Sequence, residues 1–198
     1  MKGLLIALGI IVLIICVGGC GYNGMNTARI GVDQKWADVQ TSYQRRSDLI
    51  PNLVSVVKGV ANFETTTLTQ VIQARASASQ IKVDASTLTP EKLQQFQQSQ
   101  GQLSQALGRL MVVSEQYPQL KANESFKQLQ DQLEGTENRI KFARDEFNKA
   151  VADYNIQVTS FPKNVLAGMF GFKEKPMFKA DDDAQKAPKI GADAFKNN

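Results

Sequence analysis

From Phe126 to Tyr154, side chains suited to a core recur three and four positions apart without a slip: Phe126, Leu129, Leu133, Thr136, Ile140, Ala143, Phe147, Ala150 and Tyr154. That spacing puts all nine on one side of an α-helix. A strand would need them at every second position. Asn123 and Glu124 precede the run, a capping amide followed by an acid that the helix dipole favours. The pattern ends near Thr159, before Pro162. A helix of this length with one apolar face must have that face covered by other helices of the same kind.

The rest of the chain supplies them. Val32, Trp36, Val39, Tyr43 and Ile50 follow at spacings of four, three, four and seven, which predicts a first helix from about Tyr22 or Asn26 to Asp48. Pro51 lacks an N–H and its ring crowds the preceding turn, so a break is expected at Asp48–Ile50. A second helix should start at Pro51, carry Leu53, Val57, Val60, Leu68 and Val71, and fade near Ala78–Gln80. Residues 81–89 read as a connection. Thr89-Pro90-Glu91 then opens a third helix with Leu93, Phe96, Leu103, Leu107, Leu110 and Tyr117, which Pro118 ends. Its glutamine-rich start reads as a solvated face. No stretch alternates like a strand. The expected fold is all-α, an up-and-down antiparallel four-helix bundle preceded by an N-terminal transmembrane or signal-anchor helix.

The anchor is expected from residues 1–21. After Lys2, Gly3 to Gly19 carries no charge, and its 17 residues would span roughly 25 Å as a helix, at the short end for a bilayer. Nothing polar gives it a second face, which argues against burial in a soluble core. Two anchors fit. One is a single transmembrane helix, the favoured reading. The other is a lipid-anchored lipoprotein, because Val17-Gly18-Gly19-Cys20 resembles a bacterial lipobox with Cys20 as the lipidated residue, although Gly18 departs from the usual residue there. Gly21 and Gly24 should loosen the junction with the bundle, residues 22–160.

An even number of passes brings the chain back to the membrane after the fourth helix. The apolar segment 161–180, with Phe170 and Phe172, is therefore expected either at the membrane surface or folded over the open end of the bundle. Residues 181–198 show no pattern and read as a disordered tail.

Several chemistries are excluded. The chain has no histidine, so no Ser-His-Asp triad, Cys-His pair or zinc-binding HExxH helix can form. Its two cysteines, Cys16 and Cys20, both lie in the anchor, and the phosphate-loop pattern GxxxxGK[ST] is missing. A net charge of +4 without a basic run does not suit nucleic acid. We expect no enzyme, no cofactor and no metal site.

Two clusters of polar residues remain. Arg45, Arg46, Asp48 and Asn52 gather at the expected helix break, as a partner-docking surface or as local ion pairs that cap the kink. Glu64, Arg75, Glu137 and Arg144 fall on or beside the apolar stripes, as a polar interior cluster or as ion pairs at stripe edges.

Tyr22-Asn23, Trp36, the run Tyr43-Gln44-Arg45-Arg46-Ser47-Asp48-Leu49-Ile50-Pro51-Asn52-Leu53-Val54 and Ala74-Arg75-Ala76 together resemble the signature of LemA proteins. Tyr117-Pro118-Gln119-Leu120-Lys121, Glu137-Asn138-Arg139-Ile140, Phe147-Asn148, Tyr154-Asn155, Phe161-Pro162, Phe170-Gly171-Phe172 and Lys175-Pro176 extend the likeness over about residues 22–180. The resemblance implies a bacterial membrane protein with a helical-bundle domain and no established catalytic activity. Members are often encoded near membrane zinc proteases. The expectation is therefore a membrane-tethered scaffold or adaptor that docks a membrane protease or another envelope protein, with lipid as a further partner through its anchor. The alternative is a sensor that binds a small ligand or ion in the bundle core.

Overall fold

The computed structural model describes residues 2–60 and 63–179, with side chains from Gly18 onward. It contains α1 (Lys2–Lys58), α2 (Thr65–Gln80), a 3₁₀ turn (Ala85–Thr87), α3 (Pro90–Ser114), α4 (Pro118–Ala122), α5 (Glu124–Thr159) and α6 (Lys163–Phe170). Among the described residues there is no strand. The expected tail 181–198 and the side chains of residues 1–17 lie outside the described part. Among the described residues, no helix is long and apolar enough to cross a membrane.

The frame is a long antiparallel pair, α1 and α5. Lys35 pairs with Glu146 at 3.7 Å, and Arg46 pairs with Glu137 at 2.8 Å. A Cβ built on Gly24 would lie 3.2 Å from Gln157. Residue numbers rise along one helix as they fall along the other, so the two run in opposite senses. The α5 stripe is buried nearly as its spacing predicts, from Phe126 to Val158. The one shift is that Val151 is fully buried while Ala150 is only half covered. Asn123 caps the helix by accepting from the Phe126 N–H at 3.1 Å. The second pair is the α2–α3 hairpin, with Thr89 capping α3 by accepting from the Lys92 N–H.

The break expected at Asp48–Ile50 is absent. α1 runs through Pro51 for 57 residues and ends at Lys58, so α2 is only 16 residues long. Two observations explain why the proline is tolerated. Ile50, Leu53, Val54 and Val57 are all buried on this stretch, so unwinding it would return a core face to water. The Ser47 carbonyl, which Pro51 has no N–H to satisfy, accepts instead from the Arg75 Nε of α2 at 2.9 Å. The chain turns at Gly59, whose N–H closes a tight turn on the Val56 carbonyl at 3.2 Å.

Gly21 and Gly24 are not loose joints either, because both lie inside α1. They are points of close approach. A Cβ at Gly21 would sit 2.8 Å from the Leu166 Cδ1 of α6. α6 ends at Gly171, whose φ of 73° is the left-handed cap that glycine adopts without strain. The next N–H, from Phe172, reaches back to the Ala167 carbonyl at 2.9 Å.

From Gly171 to Lys179 the chain is an extended strap over α1 and α5. Asn155 and Asn148 each clamp its main chain twice. Asn155 donates to the Lys175 carbonyl and accepts from the Lys175 N–H, both at 2.9 Å. Asn148 does the same to Phe178, at 3.1 and 2.9 Å. The Phe178 ring stacks on Trp36 and meets Phe147 edge-on, at centroid distances of 6.0 and 5.5 Å. Lys175 bridges to Asp33 of α1 at 2.7 Å and also donates to the Ala85 carbonyl.

The Arg75 contact makes a prediction about stability. Arg75→Met orphans the Ser47 carbonyl and should cost about 1–3 kcal/mol in chemical denaturation. Pro51→Ala supplies the missing N–H, so in the Arg75→Met background it should recover part of that loss. Strict additivity of the two substitutions would show that Arg75 does not compensate for the proline.

Candidate functional site

The apolar interior is divided in two. The cluster nearer the start of α6 holds Trp36, Tyr43, Phe96, Ile140 and Phe147. The cluster at the far end holds Ile50, Leu53, Leu103, Leu110 and Phe126. Between them lies a polar layer centred on Arg46, which is only 2% exposed. Its Nη1 donates to Ser104 Oγ at 2.7 Å and to Glu137 Oε2 at 2.8 Å. Its Nη2 donates to Gln100 Oε1 at 2.8 Å and to the Gln100 carbonyl at 3.3 Å. The Tyr43 ring lies under the guanidinium, 5.1 Å from its carbon. Nε alone has no partner.

A cation buried this deeply loses its hydration, a cost of several kcal/mol that only well-placed partners offset. Here the partners come from α3 and α5, while the cation comes from α1. A slip of α1 by one turn would put the guanidinium among aromatic or aliphatic side chains that cannot receive it. The layer therefore fixes the register of three helices at once. Glu137 is 57% exposed on its side chain, so its share of the pairing is screened by water.

The expected docking residues separate. Arg45, Asp48 and Asn52 are exposed and, three and four positions apart, share one face of α1. Asp48 accepts from Gln44 Nε2 at 2.7 Å. Arg46 points the opposite way, into the interior, because it occupies the register position between Tyr43 and Ile50 on the buried stripe.

The four residues read as an interior cluster do not converge. Glu64 is exposed before the start of α2, and Arg75 holds the Ser47 carbonyl. Glu137 meets Arg46. Arg144 lies over the Phe178 ring at 4.8 Å and donates to the Lys179 carbonyl. A cleft of about 130 Å³ opens beside the polar layer, lined by Tyr43, Ser47, Ser79 and Gln100 among others. A shallow groove of about 950 Å³ lies between Arg29, the 3₁₀ turn and the strap. None of the four lines either one.

At the base of the fold, Cys20 is exposed on α1 with a free thiol. The two phenylalanines expected at a membrane surface have different fates. Phe172 is buried beneath Tyr22 and Arg29, at 5.6 and 5.4 Å. Phe170 stays 53% exposed and meets Tyr22 edge-on at 5.1 Å.

The glutamine-rich start of α3 reads as a solvated face, but its last member, Gln100, is buried because it receives Arg46. Ser104 has no place in the sequence reading, and Asn148 and Asn155 enter it only within the LemA-like segments. The seven-residue gap in the α1 stripe between Tyr43 and Ile50 was the signal for Arg46. The two asparagines sit beside stripe residues, seven positions apart, which was the signal for the clamps.

Two predictions follow from this geometry. Arg46→Ala should cost about 1–3 kcal/mol by chemical denaturation, since it leaves the Gln100 and Ser104 acceptors without their donor. Arg45→Ala, one residue away, should change stability by less than about 0.5 kcal/mol. The second concerns Tyr154, whose hydroxyl donates to the Lys173 carbonyl of the strap at 2.9 Å. Burial raises its phenol above the ordinary 10.0. A raised value means that its contribution is complete at neutral pH and is lost as pH rises through the shifted value. Phenolate absorbance should therefore contain a component that titrates above 10.0, and Tyr154→Phe should remove it.

Comparison with known proteins places this architecture. The LemA family model matches residues 35–191. Magnetosome protein MamQ 1 and MamQ 2 of Paramagnetospirillum magneticum are each 28% identical over 179 residues, covering 80% of this chain and 64% of theirs. Protein LemA of Metamycoplasma hominis is 26% identical over 144 residues, covering 73% of this chain and 62% of its own length. The chain thus spans less than two thirds of the length of these relatives. With a family match running from Lys35, just before Trp36 of the first buried stripe, past the end of the strap, the chain belongs to the LemA family.

Proposed function

We propose that this protein is a membrane-tethered, non-enzymatic adaptor that holds a docking face clear of the bilayer. The observation that carries the reading is the continuity of α1 from Lys2 to Lys58. The uncharged stretch Gly3–Gly19 and the longest helix of the fold are one rod, with no linker between them. On this reading residues 1–21 are the anchor, either a transmembrane helix or, through Cys20, a lipid attachment. The four long helices of residues 22–160 form the up-and-down bundle it carries, and 161–180 closes its base. Beyond Gly21, the 37 further residues of α1 reach about 55 Å. Relatives named for the magnetosome support a place in an assembled structure.

The docking face is formed by Arg45, Asp48 and Asn52, charges of both signs on an uncovered side of α1. The partner class is a membrane or envelope protein, including a membrane protease. The alternative is a ligand sensor. Its support is the unpaired Arg46 Nε near the cleft of about 130 Å³. That volume holds a few waters, whereas small-molecule sites occupy roughly 300–1,000 Å³. The groove of about 950 Å³ lies at the 3₁₀ turn and the strap, away from the polar layer of the core. The adaptor reading is therefore preferred.

Photocrosslinking tests it. With the crosslinker at Arg45 or Asn52 of the full chain in its native membranes, we expect capture of the same membrane-integral protein from both positions. Asp48→Lys should abolish the capture. An identical product from exposed Lys141 on α5, or none from Arg45 and Asn52, would refute the docking face.

A further inference from the structure

The base of the fold carries an apolar face that no described residue covers. Phe161, Val165 and Met169 are 83, 57 and 76% exposed and stand at successive four-residue intervals, with Phe170 beside them at 53%. The opposite side of α6 packs inward through Leu166 and Ala167, so this short helix is apolar on its outer face as well as its inner one. Scattered single apolar residues are normal on a protein surface, but four on a short helix and its entry are a marked patch.

Its position identifies what covers it. Leu166 sits against Gly21, and Gln157 near the end of α5 sits against Gly24. The end of α5 and the start of α6 are thus level with the stretch of α1 around Gly21. Two residues further toward the N-terminus, the run Gly3–Gly19 begins. Between Lys2 and Arg29 the chain has no charge, and between Asp153 and Glu174 its only charges are Lys163 and Lys173. Both segments that meet at this level are free of acidic groups. A surface with apolar side chains, two lysines and no carboxylate suits the boundary between headgroups and acyl chains.

We infer that Phe161 and α6 form a second membrane contact, in which Phe161, Val165, Met169 and Phe170 enter the bilayer interface beside the point where α1 leaves it. This rests on the tether proposed above. Phe172 has no part in it, because it is buried under Tyr22. With α1 as one contact and α6 as another, the rod meets the bilayer at two points and its rotation about its own axis is fixed.

The test uses the full chain in vesicles of phosphatidylcholine and phosphatidylglycerol, with lipids brominated near the headgroup end of the acyl chains. The single native tryptophan, Trp36, is buried in the core and serves as the unquenched background. Met169→Trp adds a probe at an exposed site, and Leu8→Trp adds one within the uncharged stretch. We expect brominated lipid to remove about half of the emission added by Met169→Trp, as for a ring lying ~5–10 Å into the interface. Quenching of Leu8→Trp without any quenching of Met169→Trp would overturn the second contact and leave the tether standing. Loss of both signals would overturn both. If Met169→Trp is unquenched and the full chain forms a dimer that Val165→Asp dissociates, the face binds a second copy, and the lipid assignment is wrong.

Discussion

The antiparallel seam between α1 and α5 is the constraint to which every other element answers. The α2–α3 hairpin, α6 and the strap are all laid against it, and no other pair of helices runs so far together. Apolar burial alone would let two such rods slide, since one turn of aliphatic side chains resembles the next. Arg46 removes that freedom. Its four hydrogen bonds reach α3 and α5 from one point on α1, between two apolar clusters that offer a cation nothing. Dispersion and the hydrophobic effect make the seam stable, and one buried guanidinium makes it unique.

The helices were legible in the sequence wherever a periodic stripe met a local signal. Asn123 before Phe126 and Thr89-Pro90 before Leu93 marked two starts that the structure reproduces. Pro51 misled because its local effect is real but was outvoted. The buried residues on either side of it outweigh one lost hydrogen bond, and Arg75, 28 positions beyond Ser47, supplies a substitute to the Ser47 carbonyl. No window of local sequence contains that donor. Gly21 and Gly24 misled in the same way, because a glycine that permits flexibility and one that permits close packing look identical until the neighbour is known.

The candidate site was half visible. Arg45, Asp48 and Asn52 were found as exposed polar residues, but Arg46 was grouped with them through adjacency in sequence. Adjacent residues on a helix point about 100° apart, so a run of polar letters divides between surface and interior. The groups that receive Arg46 come from positions 100, 104 and 137, a tertiary juxtaposition that the α1 pattern alone does not encode. Similarly, Phe170 and Phe172 are two apart, and the left-handed turn at Gly171 sends one outward and the other beneath Tyr22.

The strap carries a consequence of its own. Asn148 and Asn155 are seven residues apart on a helix, about 10.5 Å along its axis. Lys175 and Phe178 are three apart on an extended chain, about 10 Å. Two polymers with different repeat lengths come into phase over this short interval, and the side-chain amides lock them where they coincide. Because the amides grip main chain, they measure distance and ignore identity. The intervening residues, Pro176 and Met177, are free in composition but not in number, so adding or removing one would put the two rulers out of step.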